Sequence, residues 1–281
     1  MAARKDGKLN QLNHLLPEGL LVDAAWMGSH DYSSSLRSQY VSAGWLEQPV
    51  RRVYRRPRGE LSWQQIVISL QTLLDQRLVV GGRTALELQG YAHFLRHTET
   101  ETHLYGPEKP ASWLWDLKLS SSFVYHNSVP LFGDDLARVD FPGLEDVSAS
   151  ENATVAMSEA GLRVMPWGQW AWPLTASTPE RAVLELLDEL PDRESFHQAD
   201  MLFESLSNLS PRRIQMLLAR CGSVKVKRLF MFFADRHGHA WRKHIDPDRI
   251  DLGGGKRMLV KGGRLDPTYQ ITVPVDLVGR T

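Results

Sequence analysis

The amino-acid sequence predicts an α+β protein, with an N-terminal winged helix-turn-helix followed by a larger mixed α/β C-terminal domain. Three observations carry that expectation. Five arginines, Arg51, Arg52, Arg55, Arg56 and Arg58, fall within eight positions, just after a short polar segment that closes at Gly44. A polar helix, a glycine stop, a bulky Trp45-Leu46 and a basic hairpin are the order of a winged helix, a module that reads DNA. A chain of 281 residues is too long for that module alone and fits two domains. Downstream of Leu61, amphipathic stripes alternate with short β-rich runs and glycine turns, the texture of a mixed core. The expected division is 1–98, a winged helix with a helical extension, and 99–281.

The first elements follow from local chemistry. Leu9, Leu12, Leu15 and Leu16 are spaced for a helix that Pro17 ends. Asp23 can cap a second helix, Ala24 to His30. The third runs from Ser33 to Ala43 and turns Leu36 and Tyr40 inward. Ser34, Ser35, Ser38 and Ser42 lie on its opposite face, with Arg37 and Gln39 on the flanks. Small polar side chains make poor core material and suit a helix bringing donors to base edges or phosphates. The expected DNA-binding set is therefore Ser33, Ser34, Ser35, Arg37, Ser38, Gln39 and Ser42, together with the five arginines. Trp45-Leu46 and Val53-Tyr54 read as the two strands of the hairpin. Planar guanidinium groups along such a ribbon would meet phosphate oxygens.

Ser62 can cap a helix from Trp63 to about Gln76, and Leu78-Val80 reads as a buried strand. Gly81-Gly82 then opens a helix. Its spacing matches no nucleotide fingerprint, so close packing of helix on strand is the preferred reading. Thr102-Tyr105 and Phe123-His126 are expected strands, and Ser112-Leu119 a short helix or turn. Ser177-Thr178-Pro179-Glu180 is written like a capping box for a helix to about Leu190. Ser210-Pro211 opens another helix to Arg220, and Ser223 a third that closes at Gly238. Short strands, such as Met258-Val260 and Tyr269-Val273, end the chain.

The winged-helix order, the arginine hairpin and the run Gly81-Gly82-Arg83-Thr84-Ala85-Leu86-Glu87-Leu88-Gln89-Gly90-Tyr91-Ala92-His93 resemble AbiEi-type antitoxins, the regulatory halves of type IV toxin–antitoxin pairs. Lys227-Phe230 through Asp235-Trp241, Leu252-Arg257, Gly262-Leu265 and Ile271-Pro274 are similar to that family too. The resemblance implies binding to inverted repeats in double-stranded promoter DNA and repression of the chain's own operon. It also implies a C-terminal domain that counteracts a nucleotidyltransferase-like toxin. In one respect the chain departs: the family's wing commonly turns at Arg-Gly before Val-Tyr, and here Arg51-Arg52 stands before Val53-Tyr54. Glycine tolerates positive φ and arginine does not.

Composition and the remaining motifs narrow the function. At 42% hydrophobic and 23% charged, the chain reads as an ordinary globular protein. Its polar start lacks a signal-peptide core, its longest apolar run is Leu229-Ala234, and its one cysteine, Cys221, excludes an internal disulfide framework. These features point to the cytoplasm, with no membrane partner. The net charge of zero hides a segregation. Residues 99–199 carry six Lys+Arg against seventeen Asp+Glu, and 200–281 carry fifteen against eight. Arg212, Arg213, Arg220, Lys225, Lys227 and Arg228 form a candidate second basic patch.

Asp235, His237, His239, His244, Asp246 and Asp248 are metal-ligand types in close succession and admit a nuclease reading. However, His237-Gly238-His239 straddles a helix end, which splays the imidazoles, so no metal site is expected. Gly253-Gly254-Gly255-Lys256 lacks the Walker spacing. No catalytic set and no cofactor are expected. The alternative function is a stand-alone winged-helix transcriptional regulator whose C-terminal domain binds an effector.

Overall fold

A computed structural model describes residues 2–91, 101–144 and 151–278. The chain opens with α1 (Ala2–Leu15), β1 (Leu21–Asp23), α2 (Ala24–Ser29) and α3 (Ser34–Ser42), followed by β2 (Val53–Arg55) and α4 (Trp63–Thr72). Asp23 accepts the Trp26 N–H at 2.8 Å and caps α2 as expected. Ser62 and Gln65 close a reciprocal capping box on α4. β2 pairs antiparallel with β1, Val22 opposite Tyr54. The expected first hairpin strand, Trp45-Leu46, does not form; instead Glu47, expected in the connection, makes an isolated bridge to Arg55. Residues 21–23 were not expected as a strand. Leu21 and Val22 are fully buried against the first helices, so a three-residue run there carries no visible alternation.

The second layer is a five-stranded mixed sheet containing β3 (Val79–Val80), β4 (Glu101–Gly106), β5 (Ser122–Asn127), β6 (Leu162–Trp167) and β7 (Trp172–Ser177), in the order β5-β4-β3-β7-β6. β4 and β5 run parallel, as do β3 and β7; the other pairs are antiparallel. The boundary expected at 98–99 lies outside the described residues. The sheet draws its central strand from before that point and its other four from after it. Alternation on the sheet is strict. Val80 and Leu104 face the core shared with the first helices, whereas Val79 and Tyr105 face the opposite side. Gln71 on α4 fastens the two layers: its amide donates to the carbonyls of Leu78 and Thr175 and accepts the Thr175 N–H.

Helices α5 (Gly82–Leu88), α6 (Val129–Phe132), α7 (Glu151–Glu159), α8 (Pro179–Asp188), α9 (Phe196–Ser205), α10 (Pro211–Arg220) and α11 (Val224–His237) complete the chain, with β8 (Arg264–Leu265) and β9 (Thr272–Val273) forming a short ribbon. The largest apolar cluster lies among α5, α8, α9, α10 and α11. Gly238 ends α11 in the left-handed region at φ +60°, as a C-terminal glycine should.

One expected cap is corrected. Thr178 makes no side-chain hydrogen bond on α8, and Glu180 does not turn back to it. Instead Glu180 accepts the Ser210 N–H at 2.7 Å and Arg213 Nη1 at 3.0 Å. The start of α10 competes for the same carboxylate and adds a charged partner, which the local cap cannot offer.

Gly81 and Gly82 show why close packing holds there. A Cβ on Gly81 would collide with Glu185 and Tyr105, and Gly82 takes φ +50°. The Gly82 N–H donates to Glu185 Oε2 at 2.8 Å, and Glu185, itself fully buried, also receives Ser177 Oγ and Arg181 Nε.

Candidate nucleic-acid interface

Helix α3 presents the face the sequence anticipates. Ser34, Ser35, Ser38, Gln39 and Ser42 are exposed, while Tyr40 is buried. Ser33 is the N-cap, accepting the Leu36 N–H, and its hydroxyl pairs with that of Ser35 at 3.0 Å. Arg37 is turned elsewhere. Its Nη1 donates to the Ala24 carbonyl at 2.8 Å, and its guanidinium lies 5.5 Å from the centre of the Tyr54 ring. It locks α3 onto α2 and β2.

The five arginines divide into two groups. Arg51 and Arg52 are exposed at the turn between Glu47 and β2. Arg52 sits at φ +68°, the conformation a glycine would take without cost, while its carbonyl accepts the Ala24 N–H at 2.8 Å. The other three are held internally. Arg55, 8% exposed, donates to Glu47 at 2.6 Å and to the Gly59 carbonyl at 2.9 Å. Arg56 donates to the carbonyls of Asn13 and Leu16 and pairs with Glu18. Arg58 pairs with the other Glu18 oxygen and lies 4.0 Å from the centre of the Trp170 ring. The expectation that all five line one phosphate-facing ribbon is therefore corrected. With a strand only three residues long, the arginines beyond the turn fall back onto α1 and the sheet.

The second basic patch disperses as well. Lys227 and Arg228 are 5% and 3% exposed. Arg228 donates to the carbonyls of Leu252, Gly253, Gly255 and Gln270, so the glycine loop points its acceptors inward. Arg213 is bound to Glu180 and Lys225 to Asp188. Arg212 and Arg220 remain exposed.

The histidine–carboxylate run is similarly divided. Asp235 takes Arg242 and Tyr269, His237 takes Asp200, and His239 takes the Phe203 carbonyl. Among the described residues no group of three such side chains is placed to hold a metal ion. Cys221 is 3% exposed, and burial pushes its thiol up, away from the reactive thiolate.

Two features lay beyond sequence reasoning. A cavity of about 760 Å³ opens between the end of α1 and the β6–β7 hairpin, lined by His14, Leu15, Pro17, Glu18, Arg56, Leu144, Trp170 and Trp172. Inside the sheet, His103 and His126 are joined at 2.9 Å and His126 meets Glu189 at 2.8 Å. Burial, and then the neighbouring His126, lower the His103 pKa to about 4. Neither feature has a sequence signal, since each depends on residues far apart in the chain.

Residues 5–97 match the family model for the N-terminal domain of AbiEi antitoxin transcriptional regulators, and residues 145–274 match the model for AbiEi antitoxin transcriptional regulators of type IV toxin–antitoxin systems. In fold, the chain is similar to the crystal structure of RV2827C protein from Mycobacterium tuberculosis, with a TM-score of 0.50 and 16% identity. That match covers 94% of this chain and 88% of the other. No curated protein matches the chain. Among the described residues no helix is long and apolar enough to cross a membrane.

Proposed function

Since the chain belongs to the AbiEi family of antitoxin transcriptional regulators of type IV toxin–antitoxin systems, we propose that it binds inverted repeats in its own promoter, represses its operon in the cytoplasm, and counteracts a nucleotidyltransferase-like toxin without catalysing a reaction itself. The order α1, β1, α2, α3 and β2 is read as a winged helix-turn-helix, with residues 48–52 as the tip of the wing. The observation that carries the reading is the conjunction of a helix whose outer face is serines and a glutamine with a turn bearing two exposed arginines that make no ion pair among the described residues. Ser34, Ser35, Ser38, Gln39 and Ser42 supply hydroxyls and an amide to the major groove, while Arg51 and Arg52 clamp phosphates. Ser33, Arg37, Arg55, Arg56 and Arg58 shape this surface from behind.

The test is a mobility-shift titration of the promoter across salt. Removing both Arg51 and Arg52 should lower the log–log salt slope by about 1.8, near 0.9 for each phosphate no longer neutralised. An unchanged slope would refute the assignment. The second reading, a stand-alone regulator with an effector site, draws support from the cavity of about 760 Å³, which has the size of a small-molecule site. Expression beside the adjacent gene separates the two readings, since an antitoxin restores growth to cells making the toxin.

A further inference from the structure

The cavity of about 760 Å³ between the end of α1 and the β6–β7 hairpin is built unevenly. One wall is aromatic. Trp172 is 6% exposed and stacks on Trp170 at 5.0 Å and on Trp167 at 6.2 Å. Trp170, at the hairpin turn, is 46% exposed, and the Arg58 guanidinium lies over its ring. Leu15, Pro17 and Leu144 add apolar surface. Apolar walls with a few converging polar groups are the usual anatomy of a small-molecule site.

The polar groups are mostly donors, and positive charge prevails among them. The lining carboxylate, Glu18, gives one oxygen to Arg56 and the other to Arg58, so two guanidinium groups share a single negative charge. Arg56 is fixed beforehand by the carbonyls of Asn13 and Leu16, both at 3.1 Å, which reduces the ordering cost of binding. Among the described residues, the indole nitrogens of Trp170 and Trp172 and the ring nitrogens of His14 make no hydrogen bond. Indole edges and N–H groups are the positive parts of those rings. Donors in excess of acceptors, beside a surplus cation, select a ligand that brings acceptor oxygens and negative charge.

We propose that this cavity binds a small aromatic carboxylate, its flat ring against Trp170 and Trp172 and its carboxylate toward Arg56 and His14. The site gives the effector reading above a ligand class and rests on that reading only for its effect on promoter binding. Arg56 follows β2 directly and holds the end of α1, so the ligand sits against the frame of the proposed winged helix. A mere packing gap between apolar layers would be lined by aliphatic side chains, without a fixed guanidinium or unpaired indole donors.

Isothermal titration calorimetry of the full chain tests this with naphthoate as the probe. Naphthamide is its neutral counterpart and decalincarboxylate its non-aromatic one. Naphthoate should bind saturably, roughly tenfold or more tighter than either. Two variants locate the site. His14→Glu, at an exposed position, adds a like charge and should weaken naphthoate roughly tenfold. Trp170→Ala, on the hairpin turn, should weaken it roughly fivefold or more. The circular-dichroism melt should be unchanged in both. No binding to the wild type, equal binding of the amide or of the saturated acid, or binding untouched by both variants overturns the proposal. Naphthoate that binds as expected and leaves promoter affinity unshifted upholds the site and overturns the effector reading alone.

Discussion

Replacing Arg52 with glycine should improve stability and impair DNA binding at once. At φ +68° the arginine occupies the left-handed region, which costs an L-residue roughly 1–2 kcal/mol. Glycine removes that strain but gains freedom in the unfolded chain, worth roughly 0.5–1 kcal/mol in the other direction. The net expectation is a stabilisation of about 0.5–1 kcal/mol, or a rise of roughly 1–4 °C in Tm for a chain of this size. The same change removes a cation whose side chain has no ion-pair or hydrogen-bond partner among the described residues. The log–log salt slope of promoter binding should therefore fall by about 0.9. Arg52→Ala is the control, because it loses the charge and keeps the strain; its slope should fall equally while its Tm does not rise. Differential scanning calorimetry and salt-titrated mobility shifts read the two effects independently. If the glycine variant kept the full slope, Arg52 would not contact phosphate. If it melted lower than the alanine variant, the argument from strain would fail.

Three further outcomes are expected. Arg55→Met should cost about 1–3 kcal/mol in a denaturant titration and leave the salt slope of promoter binding intact, since the side chain serves Glu47 and Gly59 rather than a phosphate. A chain beginning at residue 99 lacks β3, the strand between β4 and β7, and should show no cooperative melt; a sharp transition would contradict the shared sheet. His103 binds a proton more readily unfolded, near pH 6.5, than folded, near 4. Its contribution is thus fully present above pH 6.5 and is lost as the pH falls toward 4, on the order of 3 kcal/mol in all. Denaturant midpoints at pH 7, 5.5 and 4.5 should decline, and His103→Leu should flatten that decline.

Local chemistry made much of this molecule legible. Ser62, Ser210-Pro211 and Gly238 mark their helix ends from sequence, because a cap is satisfied within a few residues. What escaped were the decisions made at long range. Glu180 is spaced correctly for a local box, yet it serves a helix thirty residues downstream. Arg55, Arg56 and Lys227 look like surface charge, but carbonyls and carboxylates elsewhere in the chain claim them or bury them. The candidate interface was legible where side chains stay free, at Ser34, Ser38, Gln39, Arg51 and Arg52. It was illegible at Arg37, whose partner is a backbone oxygen on a different helix.

The Glu185 carboxylate at the mouth of α5 has a wider consequence. It rests against the Gly82 N–H where an anion would sit at the head of a glycine-opened helix, and Arg181 and Ser177 hold it there. The chain therefore supplies its own counter-ion to that helix. An incoming phosphate would have to displace a group tethered by covalent bonds and by three hydrogen bonds. A glycine pair at the head of a helix is thus already liganded from within. The same internal anion, with the Tyr105 ring, forbids a side chain at Gly81, while Tyr105 crowds Gly82; the Gly82 N–H bond to Glu185 ties the start of α5 to α8 across about a hundred residues of intervening chain.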